Sequence, residues 1–178
     1  MEITQQADYA VRAVLELALN VQDARIFSSE IARRQGIPAP FLTKIFSRLA
    51  AAGIVATQRG VNGGIRLTRP ADQVTLLQVV EAIDGPISLN RCVRNPEECG
   101  RNATCAVHPI WLKICADLRA QLHTIHFAKL AADAQSISKA SGDLAFCLIA
   151  PQPAGSPPAD RAEASNQGNA ALAAQGLG

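Results

Sequence analysis

Three thiols and an imidazole share one short segment, in the order Cys92, Cys99, Cys105 and His108. The spacing is C-x6-C-x5-C-x2-H. Between them lie Arg94, Pro96, Glu97, Glu98 and Gly100, which make a poor helix and a poor core. Free cysteines usually pack as small buried hydrophobes. Three of them in a polar, helix-breaking segment therefore point to metal binding. Thiolates are soft ligands that suit zinc or an iron–sulfur cluster. The spacing is not the paired C-x2-C of most structural zinc sites. So loose a loop can wrap an object larger than one ion. A three-Cys, one-His zinc site remains a rival reading. A disulfide-bonded loop is the other, although the chain's five cysteines would leave one over.

The elements that would position these ligands begin with a basic amino-terminal half. Residues 1–70 carry nine Lys/Arg against five Asp/Glu, a balance of +4. The rest of the chain carries eight against ten, a balance of −2. This asymmetry suggests a polyanionic partner for the first half. The opening Met1-Glu2-Ile3-Thr4 lacks the basic start and apolar run of a signal peptide, and no apolar stretch is long enough to span a bilayer. A cytoplasmic setting without membrane contact is expected, and there unpaired thiols persist.

Taken in order, Thr4 caps a helix over about residues 5–20, with Tyr9, Val11, Val14, Leu15 and Leu17 at helical spacing. Asp8 and Arg12 lie four apart on it as a stabilising pair. Residues 28–36 read as a short helix ended by Gly36, and Ile37-Pro38 as a tight turn. A second helix runs from about Ala39 to Ala52, burying Phe41, Leu42, Ile45, Phe46 and Leu49 and turning Thr43, Lys44, Ser47 and Arg48 outward. Alternation over 54–58 and 65–69, around Arg59-Gly60-Val61-Asn62-Gly63-Gly64, predicts a hairpin with a basic tip. A helix-turn-helix followed at once by such a hairpin is a winged helix. Its recognition helix would enter the major groove and its wing would bring Arg59 to the minor groove. The DNA-contact candidates are Ser28, Pro40, Phe41, Thr43, Lys44, Ser47, Arg48, Arg59, Asn62 and Gly63. A glycine-rich loop can also hold nucleotide phosphates, but no GK[ST] follows here. No nucleophile–base pair or second cofactor motif points to an enzyme.

Val74 to Asp84 predicts an amphipathic helix that packs on the winged helix and leads into the cysteines. From Pro109 a longer helix is expected to reach about Ala134. Trp111, Ile114, Leu118, Leu122 and Ile125 form its apolar seam, near heptad spacing. Such a seam suits a partner helix in a two-fold dimer on a palindromic operator. Cys115 and Cys147 read as buried hydrophobes. The expected architecture is mainly α with a small β-hairpin wing. Residues 1–86 form the DNA-binding domain, 87–108 the cysteine loop, 109–134 the dimerisation helix and 135–178 a disordered tail.

These residues resemble the winged-helix transcription regulators typified by the iron–sulfur regulators IscR, NsrR and RirA. The resemblance rests on Tyr9-Ala10-Val11-Arg12-Ala13, Phe46-Ser47-Arg48-Leu49, Arg59-Gly60 with Gly63-Gly64, and the three cysteines and His108 before Trp111. It covers residues 1 to about 130. It implies a homodimeric regulator of double-stranded DNA operators whose affinity is set by a 2Fe–2S or 4Fe–4S cluster sensing iron, redox state or nitric oxide. Cys92, Cys99 and Cys105 match the family's cluster thiolates. His108 matches the histidine that completes one kind of site, and Asp8 the first-helix carboxylate that completes the other. The alternative is a zinc-stabilised or thiol-redox DNA-binding regulator.

Overall fold

The computed structural model describes residues 3–20, 25–60 and 63–141. Seven α-helices, three 3-10 turns and one hairpin occur among them. The α-helices and strands are α1 (Gln5–Leu19), α2 (Ser28–Gln35), α3 (Ala39–Ala51), β1 (Val55–Gln58), β2 (Gly64–Leu67), α4 (Leu76–Asp84), the single turn α5 (Arg91–Arg94), α6 (His108–Thr124) and α7 (Phe127–Ser141).

The Thr4 hydroxyl accepts the Ala7 amide at 3.2 Å and starts α1. The face that α1 buries is built on Ala7, Ala10 and Ala13, all fully inaccessible, with Val14 and Leu17. Small side chains here let neighbouring helices approach closely. Leu42, Ile45, Phe46 and Leu49 of α3 close the same core, with Ile31 of α2 and Val79 of α4.

The wing is antiparallel, with Val55 opposite Leu67 and Gln58 opposite Gly64. It carries a partner that the residue pattern did not announce. Ile26 pairs with Ile65, through Ile26 N–H to the Ile65 carbonyl at 3.0 Å and Ile65 N–H to the Ile26 carbonyl at 2.8 Å. Gly64 permits this approach. It sits at φ 138°, and a Cβ there would lie 2.8 Å from Cβ of Arg25. The base of the wing is tied to what precedes and follows it. The Thr68 hydroxyl donates to the Gly53 carbonyl at 2.5 Å, and Arg69 reaches Gly53, Gln73 and Gln78. Gln78 also completes the capping box that starts α4 at Thr75.

The single helix expected over 109–134 is two helices. α6 ends at Thr124, Ile125 is extended, and α7 turns back over α1. Leu76 N–H donates to the Ile125 carbonyl at 2.8 Å and Phe127 N–H to the Val74 carbonyl at 3.0 Å, an antiparallel bridge of Thr75 with His126. Burial explains the break. Phe127 is fully buried in the main core, a gain of about 2–3 kcal/mol. The bridge replaces the helical hydrogen bonds that are given up. Residues 135–141, expected in the tail, continue α7. Cys147 and the rest of the expected tail, residues 142–178, lie outside the described residues.

Candidate nucleic-acid interface and cysteine segment

The helix-turn-helix is α2 and α3, joined through Gly36, Ile37 and Pro38. Ile37 is buried at 3% exposure and holds the turn to the core. The sequence reading missed what fixes α2 on α1. Glu16, only 8% exposed, accepts Arg34 Nη1 at 2.7 Å and Gln35 Nε2 at 2.9 Å. A glutamate on the otherwise apolar face of α1 was the available signal. Arg34 also bonds Glu30, as does Arg33. These hydrogen bonds hold the Glu30 carboxyl down to about 2.

Of the expected DNA contacts, Ser28, Pro40, Thr43, Lys44, Ser47 and Arg59 are exposed on α2, α3 and the wing. Phe41, expected in the buried stripe of α3 as well as among the contacts, is 40% exposed. It meets Tyr9 edge to face, ring centres 5.6 Å apart. The Thr43 hydroxyl donates to the Ala39 carbonyl at 3.4 Å. Gly63 is buried instead of presented. Its amide donates to the Gly60 carbonyl at 2.9 Å, and a Cβ would lie 2.7 Å from that oxygen, so its role in the wing is steric. Asn62 lies outside the described residues. Arg48 stands apart, because its Nη1 donates to the Ile83 carbonyl at the end of α4 at 2.8 Å.

The cysteine segment runs from α4 to α6. Cys92 sits in α5, Cys99 follows the 3-10 turn Pro96–Glu98, and Cys105 follows the 3-10 turn Asn102–Thr104. All three thiols are free and half-buried. His108 opens α6 at 8% exposure, and its buried Nδ1 has no hydrogen-bond partner among the described residues. An orphaned buried nitrogen is a cost that a ligand can relieve. His126 shares this feature at the α6–α7 step, with no cysteine near it in sequence. In kind, three soft thiols and one imidazole fit an iron–sulfur or zinc centre. In place, no three His, Cys, Asp or Glu side chains are gathered as a metal-holding group among the described residues. Asp8, the alternative fourth ligand, is on α1 in an ion pair with Arg12 at 3.3 Å.

The start of the segment is fastened to both neighbouring helices. Glu81 of α4 accepts the Ile87 amide at 3.0 Å and pairs with Arg119 of α6. Leu89 N–H donates to Cys115 Sγ at 3.3 Å, and Arg94 Nε to the Ser88 hydroxyl at 3.0 Å. Cys115 is buried at 3% exposure, as its place inside the helix suggested. Of the apolar seam expected on α6, Leu118 and Leu122 pack on Leu77, Val80 and Ile87 of the same chain, Trp111 is half-buried and Ile114 is exposed. Val107 and Ile110, which the seam did not include, are exposed with Ile114, all three between 42% and 54%. No described helix is long and apolar enough to cross a membrane.

A family model for Rrf2, iron-dependent transcriptional regulators, matches residues 3–133. The HTH-type transcriptional regulator IscR of Photobacterium profundum is 32% identical over 142 residues, 80% of this chain and 81% of that protein. The IscR of Yersinia enterocolitica is 34% identical over 130 residues, 73% of this chain and 79% of its own length. Two solved structures share the fold, each with a TM-score of 0.61. T. potens IscR is 22% identical and aligns over 77% of this chain and 90% of its own. CymR (YrzC), the global cysteine regulator of B. subtilis, is 23% identical and aligns over 75% and 98%.

Proposed function

The chain belongs to the Rrf2 family and is a transcriptional regulator, not an enzyme; from that premise we propose a homodimeric DNA-binding switch whose operator affinity follows an iron–sulfur cluster held by Cys92, Cys99, Cys105 and His108. One observation carries the reading. The chain leading into these four side chains is fastened to α4 through Ile87 and to α6 through Leu89, the two helices that join the winged helix to the exposed apolar stripe. When bound, the cluster supplies an iron centre that responds to iron supply, redox state or nitric oxide.

The chain's own residues do the rest. With the cluster bound, the thiols and His108 would hold the segment in one arrangement between α4 and α6. Glu81, Arg119 and the Leu89–Cys115 contact transmit that arrangement to the helices. Val107, Ile110 and Ile114, with the half-buried Trp111, are the surface for a second copy. Each copy then presents α3 to a major groove, with Lys44, Thr43 and Ser47 outward, and Arg59 on the wing. The spacing of the two recognition helices sets affinity for a palindromic site, so a change in the segment becomes a change in operator occupancy.

Anaerobic purification with visible absorption, Mössbauer spectra and iron and sulfide analysis tests the reading. A cluster with stoichiometric sulfide supports it. Zinc, or no metal after anaerobic reconstitution, overturns it in favour of a zinc-stabilised or thiol-sensing regulator. That no three of these side chains are gathered as a metal-holding group among the described residues is the observation that favours the thiol-sensing form of that second reading.

A further inference from the structure

The end of α4 is where the DNA-reading helices and the cysteine segment meet. Its last turn holds no basic residue of its own. Terminal helix carbonyls need donors and favour positive charge. Arg48 of α3 supplies both from another helix, donating Nη1 to the Ile83 carbonyl at 2.8 Å. The same nitrogen lies 3.5 Å from Gln6 Oε1 of α1. One residue on, Asp84 sits at the unfavourable end of its own helix. Its carboxylate instead serves the start of α1, accepting Thr4 N–H at 3.1 Å and the Thr4 hydroxyl at 2.6 Å. Gly85 and Pro86 follow, and then Ile87, whose amide is held by Glu81.

We propose that Arg48 is a positioning residue: its hydrogen bond to Ile83 sets the recognition helix against the end of α4, so that the state of the cysteine segment reaches DNA through it. This deepens the regulator reading and rests on the DNA-binding part of it. It does not rest on the cluster. Arg48 lies on α3 between Ser47 and Leu49, where an arginine is the obvious phosphate contact. The two roles differ in a measurable way. A residue that neutralises a phosphate carries about one unit of the salt dependence of binding. A residue that places the helix lowers affinity without changing that slope.

The probe is a duplex selected from a randomised pool by the wild-type protein, studied at several salt concentrations with metal-free protein throughout. Arg48→Ala is expected to weaken binding about tenfold with the salt slope unchanged. Arg59→Ala, on the wing, is the reference for a groove contact and lowers the slope. Glu81→Gln, on α4, loosens the Ile87 and Arg119 contacts. It is expected to weaken binding in the wild-type background and to add nothing in the Arg48→Ala background. Additive losses would show that Arg48 only stabilises the fold, and a slope reduced by about one would make it a phosphate contact. Either result overturns the assignment. If the pool yields no enriched duplex, the DNA-binding reading falls and the assignment with it.

Discussion

His108 and Asp8 compete for one role, and their surroundings favour the histidine. Asp8 is 59% exposed at its side chain and occupied by Arg12. His108 is buried with Nδ1 unpartnered, and stands three residues past Cys105 on the same segment. A ligand drawn from that segment orders no second element. His108→Ala is therefore expected to speed loss of a reconstituted cluster about ten- to a hundredfold, while Asp8→Ala leaves it close to wild type. Decay of visible absorption under air measures both. The reverse order would assign the fourth position to α1. The cysteine segment was legible as a polar, helix-breaking stretch between two helices. Spacing alone does not say that its thiols converge, and no three His, Cys, Asp or Glu side chains are gathered among the described residues. The role of Glu16 was not legible, because a lone glutamate in a helix reads as solvated until Arg34 and Gln35 are seen to converge on it. The bond from Arg48 to the Ile83 carbonyl was not legible either. The acceptor is a backbone carbonyl thirty-five residues away, which leaves no mark on the sequence around Arg48.

At the scale of elements, the parts punctuated by glycine and proline could be read directly. Gly36 and Pro38 bound the turn of the helix-turn-helix, and Gly63-Gly64 the tip of the wing. The break between α6 and α7 has no such mark. Thr124, Ile125 and His126 are ordinary residues, and the seam continues through them in pattern. Only the depth of the Phe127 pocket and the bridge to Thr75 decide that the helix stops. A partner-facing seam and a core-facing one look alike in a single sequence. Phe127→Ala tests the account. It should cost about 3–5 kcal/mol in denaturant unfolding, as an emptied aromatic site does. A loss below about 1 kcal/mol would mean that α7 is not held by this contact.

For the whole molecule, the question is what the exposed stripe of α6 is for. The chain covers Leu118 and Leu122 internally, on α4, and leaves Val107, Ile110 and Ile114 without cover among the described residues. Because the second half of α6 is tied to α4 through Arg119–Glu81 and, just past its end, through Ile125–Leu76, a copy docked on this stripe is held relative to its own recognition helix. That rigidity is what a palindrome requires, since its half-sites lie about 34–36 Å apart. A flexible link would waste the second contact, because the two reading heads would sample many spacings. Ile110→Lys with Ile114→Lys places two charges in the stripe without touching the core. The variant should sediment as a folded monomer and lose about a hundredfold or more in affinity for a palindromic duplex, while keeping the weaker binding of one half-site. A variant that stays dimeric would move the interface off α6. A monomer that binds as tightly as wild type would show that one winged helix suffices, and the coupling from segment to operator would then have to run within a single chain, through the end of α4.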